Sequence, residues 1–288
     1  MPRTIQTVLS QDQSALETSL HLDSSSARIE VQCLLQRVLN VPRAYLISHP
    51  EHTLGTADET SFQALLHRRL SGEPIAYILG EREFFGINLR VTPATLIPRP
   101  DTELLVELAL QHIPSPPQLG KEDFSVLDMG TGSGAIALAI AHHRPKAEIW
   151  ACDASTAALS VAHENAQHLG IANVQFVESD WFSALREQRF DIIVANPPYI
   201  AADDHHLSQG DVRFEPLSAL ISGVDGLHDI RRIITQVGAH LNNGWLLLEH
   251  GYDQAAPVRK LLQQSAFTEI FSAKDLSGIE RCSGGRLP

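Results

Sequence analysis

The sequence predicts an α/β protein: an open, mostly parallel sheet with helices on both faces, preceded by a small helical unit. Three observations predict it. From Phe124 onward, short apolar runs alternate with helix-length runs, the order of successive βαβ units. A glycine-rich turn, "LDMGTGSGA", stands between the first of these strands and its helix. Residues 1 to about 75 carry helical spacing instead.

The elements follow in order. In "SSSARIEVQCLLQRVLN", hydroxyl caps precede Ile29, Val31, Leu34, Leu35 and Val38, with Asn40 and Pro42 as the stop. In "TADETSFQALLHRRLSG", Thr56, Asp58 or Thr60 caps a stripe of Phe62, Leu65, Leu66 and Leu70, and Gly72 ends it. "EREFFGINLRVTP" reads as two short strands about Gly86, a hairpin. "PRPDTELLVELALQHI" opens a helix on Pro100 and Asp101, and "PSPPQLGKED" is a loop. The strands "SVLDMG", "AEIWACD", "VQFVESD", "FDIIVANPP", "GWLLLEHG" and "FTEIFSAKDL" then alternate with four helices, and "GIERCSGGRLP" is the tail. The expected organisation is a helical domain over 1–78, a hairpin linker over 79–97 and the α/β domain over 98–288.

Bulk properties narrow the function. The chain has 288 residues, 43% hydrophobic and 19% charged, with a net charge of −12. That balance argues against a surface built to grip nucleic-acid phosphates, and no stable nucleic-acid partner is expected. Cys33, Cys152 and Cys282 form neither a CxxC pair nor a zinc set, as in a reducing compartment. No apolar run of about 18 residues is present, and the N-terminus is polar. A cytoplasmic, monomeric protein without a membrane partner is expected.

The glycine loop offers the first chemistry. Gly130, Thr131, Gly132, Ser133 and Gly134 bring backbone N–H groups and a helix N-terminus near a ligand. Asp153, at the end of the next strand, can accept both hydroxyls of a ribose. Gly130-x-Gly132-x-x-Ala135 also fits a dinucleotide fingerprint, so NAD competes as the ligand. Asp128 in the loop approach suits a cationic ligand better than a pyrophosphate. Asp180 can accept from an exocyclic amine, and Trp181 can cover a purine face. S-adenosylmethionine, with an adenosine, an ammonium and a sulfonium, matches these residues better.

The second is "NPPY", Asn196 to Tyr199, where a strand stops on two prolines. Residues that precede proline are biased to extended conformations, which fixes two acceptors: the Asn196 side-chain oxygen and the Pro197 carbonyl. Pro198 completes the rigid end, and Tyr199 offers a flat face. This arrangement suits methylation of a planar nitrogen. Amide resonance is worth about 18–20 kcal/mol, judged from the rotation barrier. Two acceptors on the N–H bonds draw such a nitrogen toward tetrahedral geometry and stabilise its developing positive charge. His142, His143 and the run Asp203 to His206 resemble metal ligands, but methyl transfer needs none, and no metal is expected. The 201–215 loop could serve as a lid, and Glu249 could line the pocket.

"LDMGTGSG … ACD … SDWF … NPPYI" resembles class I S-adenosylmethionine-dependent methyltransferases that act on planar nitrogen. NPPY is shared with DNA and rRNA amino-methyltransferases, so a nucleic-acid base remains an alternative acceptor. "GEPIAYILGEREFFG", "LIPRPDTE", "RFEPLSAL", "LLLEHGYDQ" and "DLSGIERCSGGR" are similar to the peptide-chain-release-factor glutamine N5-methyltransferases, the PrmC/HemK family. The resemblance spans about residues 27–286; the first 25 residues have no counterpart, and Met129 stands where leucine is commoner. It implies a Rossmann-like domain with a seven-stranded sheet, S-adenosylmethionine as methyl donor and S-adenosylhomocysteine as product. It implies a substrate, the glutamine of the Gly-Gly-Gln loop of class 1 release factors, and thus a role in translation termination. It places Gly130 to Gly134, Asp153 and Trp181 at the cofactor and Asn196 to Tyr199 at the glutamine, with Asn196 also near the cofactor. Arg99 to Glu103 fall beside the site.

Overall fold

The structure is a computed structural model that describes residues 3–113 and 124–288; the predicted loop over 114–123 lies outside them. The described residues form two compact units: the chain up to Glu81 with His206–Phe214, and Arg82–His205 with Glu215–Pro288.

The first unit is helical. Its helices are α1 (Ile5–Leu20), α2 (Ser24–Leu39), α3 (Arg43–Ser48), α4 (Thr56–Leu70) and α5 (Ile75–Leu79). Thr4 caps α1 by accepting from the Thr7 N–H, and Asp23 caps α2 on the Ser25 and Ser26 N–H groups. The α2 helix ends at Asn40 in a left-handed conformation, as its sequence suggests. Two expectations need correcting. Gly55, not a hydroxyl or carboxyl, stands at the N-cap of α4, and Asp58 and Glu59 face the helix dipole from its first turn. Ile29 is 50% exposed. The buried stripe of α2 runs through Ala27, Val31, Leu34 and Leu35, which puts Ile29 on the far side.

Residues 206–214 belong to this unit because Arg69 holds them. Arg69 is 3% exposed and donates to Glu30 (2.7 Å) and to Asp211 (3.1 Å). Its cost of burial is offset by two carboxylates and two backbone carbonyls, those of Gly72 and Glu73. Part of the segment considered as a lid is therefore tied to α4 through Asp211.

The second unit carries the hairpin β1 (Glu81–Phe84) and β2 (Ile87–Arg90), then α6 (Glu103–His112), entered through a 3-10 turn at Pro100–Thr102. The elements that follow are β3 (Ser125–Met129), α7 (Ala135–His143), β4 (Glu148–Asp153), α8 (Thr156–Leu169), β5 (Val174–Glu178) and β6 (Phe190–Ala195). The chain closes with α9 (His228–Gln236), β7 (Leu241–Glu249), α10 (Ala255–Gln264), β8 (Thr268–Lys274) and β9 (Glu280–Arg286).

The seven-stranded sheet has the order β5-β4-β3-β6-β7-β9-β8. All neighbours are parallel except those of β9, which runs antiparallel to β7 and β8. Every residue of β6 is buried, as is every residue of α7 from Ala135 to Ala141, so helices cover both faces. The strand β9 corrects the reading of the last residues as a tail. "ERCSGGR" lacks β-branched residues, yet its glycines are what the position demands. A Cβ on Gly284 would lie 2.7 Å from Leu247 Cδ2 and 2.8 Å from the Leu246 carbonyl oxygen.

Candidate active site

Topology sets the location. The chain builds outward from β3 through β4 to β5, then crosses to β6 on the other side of β3. Ligands of open sheets bind at the carboxyl ends of the strands beside such a reversal. Met129 is in register with Cys152 and with Ala195. The residues that follow, Gly130, Asp153 and Asn196, therefore come side by side from three adjacent strands. All three line one cavity of about 390 Å³.

The glycine loop is held first through its backbone groups. Gly130 and Thr131 N–H groups donate to the Cys152 carbonyl at 2.8 and 2.9 Å. Gly130, Gly132 and Gly134 have φ of 71°, 58° and 84°, values that side chains disfavour. At Gly134 a Cβ would also meet Leu138 Cδ1 at 2.9 Å. Asn165, 1% exposed, braces the loop from α8: its Nδ2 donates to the carbonyls of Ser133 (2.8 Å) and Arg90 (3.0 Å). Its Oδ1 accepts the Arg90 N–H at 2.7 Å, which clasps β2 to the same frame.

Asp153 accepts the Gly132 N–H on Oδ2 and the Ser155 N–H on Oδ1, each at 2.9 Å. Each oxygen keeps a second lone pair, so the carboxylate is oriented with acceptor capacity in reserve. Asp128 does not line the cavity, contrary to a direct role toward a cationic ligand. It is fully buried, accepting from the Thr131 hydroxyl (2.6 Å) and the Ala137 N–H (3.1 Å). Burial raises its carboxyl to about 7.

Trp181, Asp180 and Ser179 form the wall beyond β5. Trp181 has φ 51°, and its Nε1 donates to Asp229 Oδ1 at 3.2 Å. Its ring stands beside Gly130. Asp180 is exposed and pairs with Arg232 at 2.9 Å. Asp229 and Arg232 belong to α9, which no motif marked, and both line the cavity. Arg99 also lines it, bound to Glu215, whose Oε1 accepts the Ile97 N–H at 3.1 Å.

The NPPY segment splits. Asn196 and Pro198 line the cavity; Pro197 and Tyr199 are not among its lining residues. Asn196 Nδ2 donates to Thr102 Oγ1 at 3.2 Å. Gln254 Nε2 donates to the Tyr199 carbonyl at 3.0 Å, and the Tyr199 hydroxyl donates to Glu249 Oε1 at 3.4 Å. Glu249 thus lies behind the tyrosine and away from the pocket wall that its sequence position suggested. It is 2% exposed, because it ends an interior strand paired on both edges. Burial pushes its carboxyl up to about 7, opposed by the Thr102 and Tyr199 hydroxyls. Burial and Glu249 together raise the Tyr199 phenol. Of the histidine runs, His143 ends α7 with its Nδ1 on the Ala139 carbonyl at 2.9 Å. Among the described residues no helix is long and apolar enough to cross a membrane.

Comparison with known proteins fits this geometry. A family model described as a methyltransferase small domain matches residues 102–211, and one described as the PrmC N-terminal domain matches residues 13–80, which corrects the expectation that the first 25 residues have no counterpart. The human Mettl16 catalytic domain, solved in complex with an RNA hairpin, aligns at a TM-score of 0.56 with 15% identity, covering 77% of this chain and 81% of that one. A Thermus thermophilus 16S rRNA N2 G1207 methyltransferase, solved with AdoMet and guanosine, aligns at 0.52 with 20% identity, covering 72% and 50%. These two establish the fold. Release factor glutamine methyltransferase of Xylella fastidiosa is 48% identical over 91% of this chain and 94% of its own. The Escherichia coli enzyme of that name is 47% identical over 91% and 93%, and that of Vibrio cholerae 45% over 99% and 98%. With such identity along nearly the whole of both chains, the chain belongs to the release factor glutamine methyltransferase family.

Proposed function

We propose that this chain transfers the methyl group of S-adenosylmethionine to the side-chain amide nitrogen, N5, of the glutamine in the Gly-Gly-Gln loop of class 1 release factors. The observation that carries the proposal is one cavity lined both by a glycine loop with Asp153 and by Asn196 with Pro198.

The residues fit that methyl donor. Asp153 keeps lone pairs for ribose hydroxyls, Trp181 offers an indole at the wall, and Gly130 and Gly132 put no side chain between the loop and the cavity, although their N–H groups are spent within the frame. The two arginines at the cavity, Arg99 and Arg232, are each engaged by a carboxylate, which disfavours a dinucleotide's pyrophosphate. Gly130 to Ser133, Asp153, Asp180 and Trp181, which line the cavity, would hold the cofactor, with Asn196 beside it; the cofactor supplies an electrophilic methyl on a sulfonium.

The chain's own residues do the rest. With Nδ2 of Asn196 engaged by Thr102, Oδ1 is the end left to accept an N–H of the substrate amide. The Pro197 carbonyl would take the other N–H. Together they hold the nitrogen so that its lone pair, freed from resonance, points at the methyl group, and they stabilise its positive charge as the bond forms. The extra proton then leaves to solvent, so no strong base is required. Tyr199, braced by Glu249 and Gln254, keeps the proline segment in place.

The test is tritiated-methyl transfer to a class 1 release factor, to its loop Gln→Ala variant and to DNA. Label on the first alone is expected; equal label on the Gln→Ala variant, or label on DNA, would overturn the reading.

A further inference from the structure

Behind the acceptor motif lies a buried relay that the methyl transfer does not itself require. Asn196 Nδ2 donates to Thr102 Oγ1 at 3.2 Å, Thr102 lies against the Glu249 carboxyl, and the Tyr199 hydroxyl donates to Glu249 Oε1 at 3.4 Å. Thr102 is 4% exposed and Glu249 2%. Oε2 of Glu249 is buried without a well-formed hydrogen bond. Three segments far apart in sequence thus converge: the turn before α6, the end of β6 and the end of β7.

The direction of donation along this relay follows from its end. An ionised carboxylate has no proton to give, so both hydroxyls turn their protons toward it. Thr102 then faces Asn196 with lone pairs only, and a lone pair accepts from the NH₂ end of an amide and repels its oxygen. The reverse orientation of Asn196 would set its NH₂ against the NH₂ of an amide substrate, donor against donor. Resting on the reading of Asn196 as the acceptor, we infer that Thr102 and Glu249 are positioning residues: they fix which end of the Asn196 amide meets the substrate nitrogen, and Glu249 anchors Tyr199 with the same carboxyl. Protonation of Glu249 weakens that control, since a carboxylic acid also donates. The titratable and charged groups facing it are Asp101, Tyr199, Arg281 and Cys282.

The experiment uses the full chain with release factor as acceptor. It measures kcat, KM and S-adenosylhomocysteine affinity for T102V, T102S, E249Q and N196A. T102V, which keeps the shape and loses the hydroxyl, is expected to lose at least about tenfold in kcat with cofactor affinity within about twofold. T102S is expected to recover most of that loss. E249Q is expected to lower kcat and to flatten the fall of kcat on the acid side of the wild-type pH profile, which T102S keeps. T102V turning over as fast as T102S, or E249Q keeping the wild-type acid limb, overturns the inference. If T102V fails to bind S-adenosylhomocysteine, the E249Q profile decides alone. N196A separates the two layers: loss of turnover there with T102V unaffected sinks only the positioning role, whereas retained turnover in N196A sinks the acceptor reading beneath it.

Discussion

The two halves of the cavity are built by different means. On the glycine side, the frame is local backbone: N–H groups of residues 130–132 bond to the Cys152 carbonyl and the Asp153 carboxylate on the neighbouring strand. On the acceptor side, the frame is a set of side chains drawn from distant segments: Thr102, Asn196, Tyr199, Glu249 and Gln254. Backbone frames tolerate most substitutions that keep their glycines. Side-chain relays depend on each member, so single changes on this side should lower turnover while leaving cofactor binding in place.

The largest expected effect is at Asn196. Asn196→Ala removes one positioned acceptor and should cost about 2.7–4 kcal/mol of transition-state stabilisation, by analogy with the loss of one oxyanion-hole donor. Steady-state kinetics with release factor would read this in kcat, while calorimetry with S-adenosylhomocysteine should show affinity little changed. A loss seen chiefly in cofactor affinity would break the comparison, since it would place Asn196 in the cofactor frame.

Glu249 comes next, through stability. Burial raises its carboxyl from an ordinary value of 4.5 to about 7. Between those values the folded chain holds a proton that the unfolded chain has released, so stability falls as pH rises from 4.5 to about 7 and is level above. At about 1.36 kcal/mol per unit, the fall is roughly 3 kcal/mol. Glu249→Gln should remove it. Urea unfolding of both proteins across this range, compared by difference, isolates the contribution, because Asp128, raised in the same sense, is present in both. Parallel curves for the two proteins would mean that Glu249 ionises normally.

Gly134→Ala tests the other half. The left-handed φ of 84° and a Cβ 2.9 Å from Leu138 Cδ1 both oppose a side chain. The expected cost is about 1–3 kcal/mol of stability, with weaker cofactor binding. In enzyme that remains folded and saturated with cofactor, kcat should stay near wild type. A selective loss of kcat would show that the loop does more than hold a ligand.

This contrast also explains what the sequence made legible. The glycine loop, Asp153 and the NPPY segment are continuous motifs whose geometry is decided by neighbours in the chain, and the sheet brings them together through plain register. Thr102 lies inside the PRPDTE segment, but its partner Asn196 is far along the chain, and nothing local announces the pairing. Asp229 and Arg232 sit on an amphipathic helix whose pattern reports only burial. Glu249 is legible as a strand-end carboxylate, yet its place behind Tyr199 is a tertiary pairing, beside Cys282 of β9 in the sheet. That strand was itself hidden, because the glycines required by Leu246 and Leu247 make "ERCSGGR" read as a loop.

The smallest effect expected is at Arg90. Its guanidinium pairs with Glu164 at 2.6 Å, but the two side chains are 63% and 47% exposed. Such pairs contribute about 0–1 kcal/mol, since solvent and salt screen them. What fastens β2 to the glycine frame is the Arg90 backbone, which both donates to and accepts from Asn165. Arg90→Ala keeps that clasp and should change the melting temperature little, and less still in high salt. Asn165→Ala breaks it and strands the buried Ser133 carbonyl as well, at about 1–3 kcal/mol for a buried group left unpaired. Equal destabilisation by the two changes would mean that the surface ion pair, rather than the backbone, carries the hairpin, and the division between a backbone-built half and a side-chain-built half would have to be redrawn at this edge.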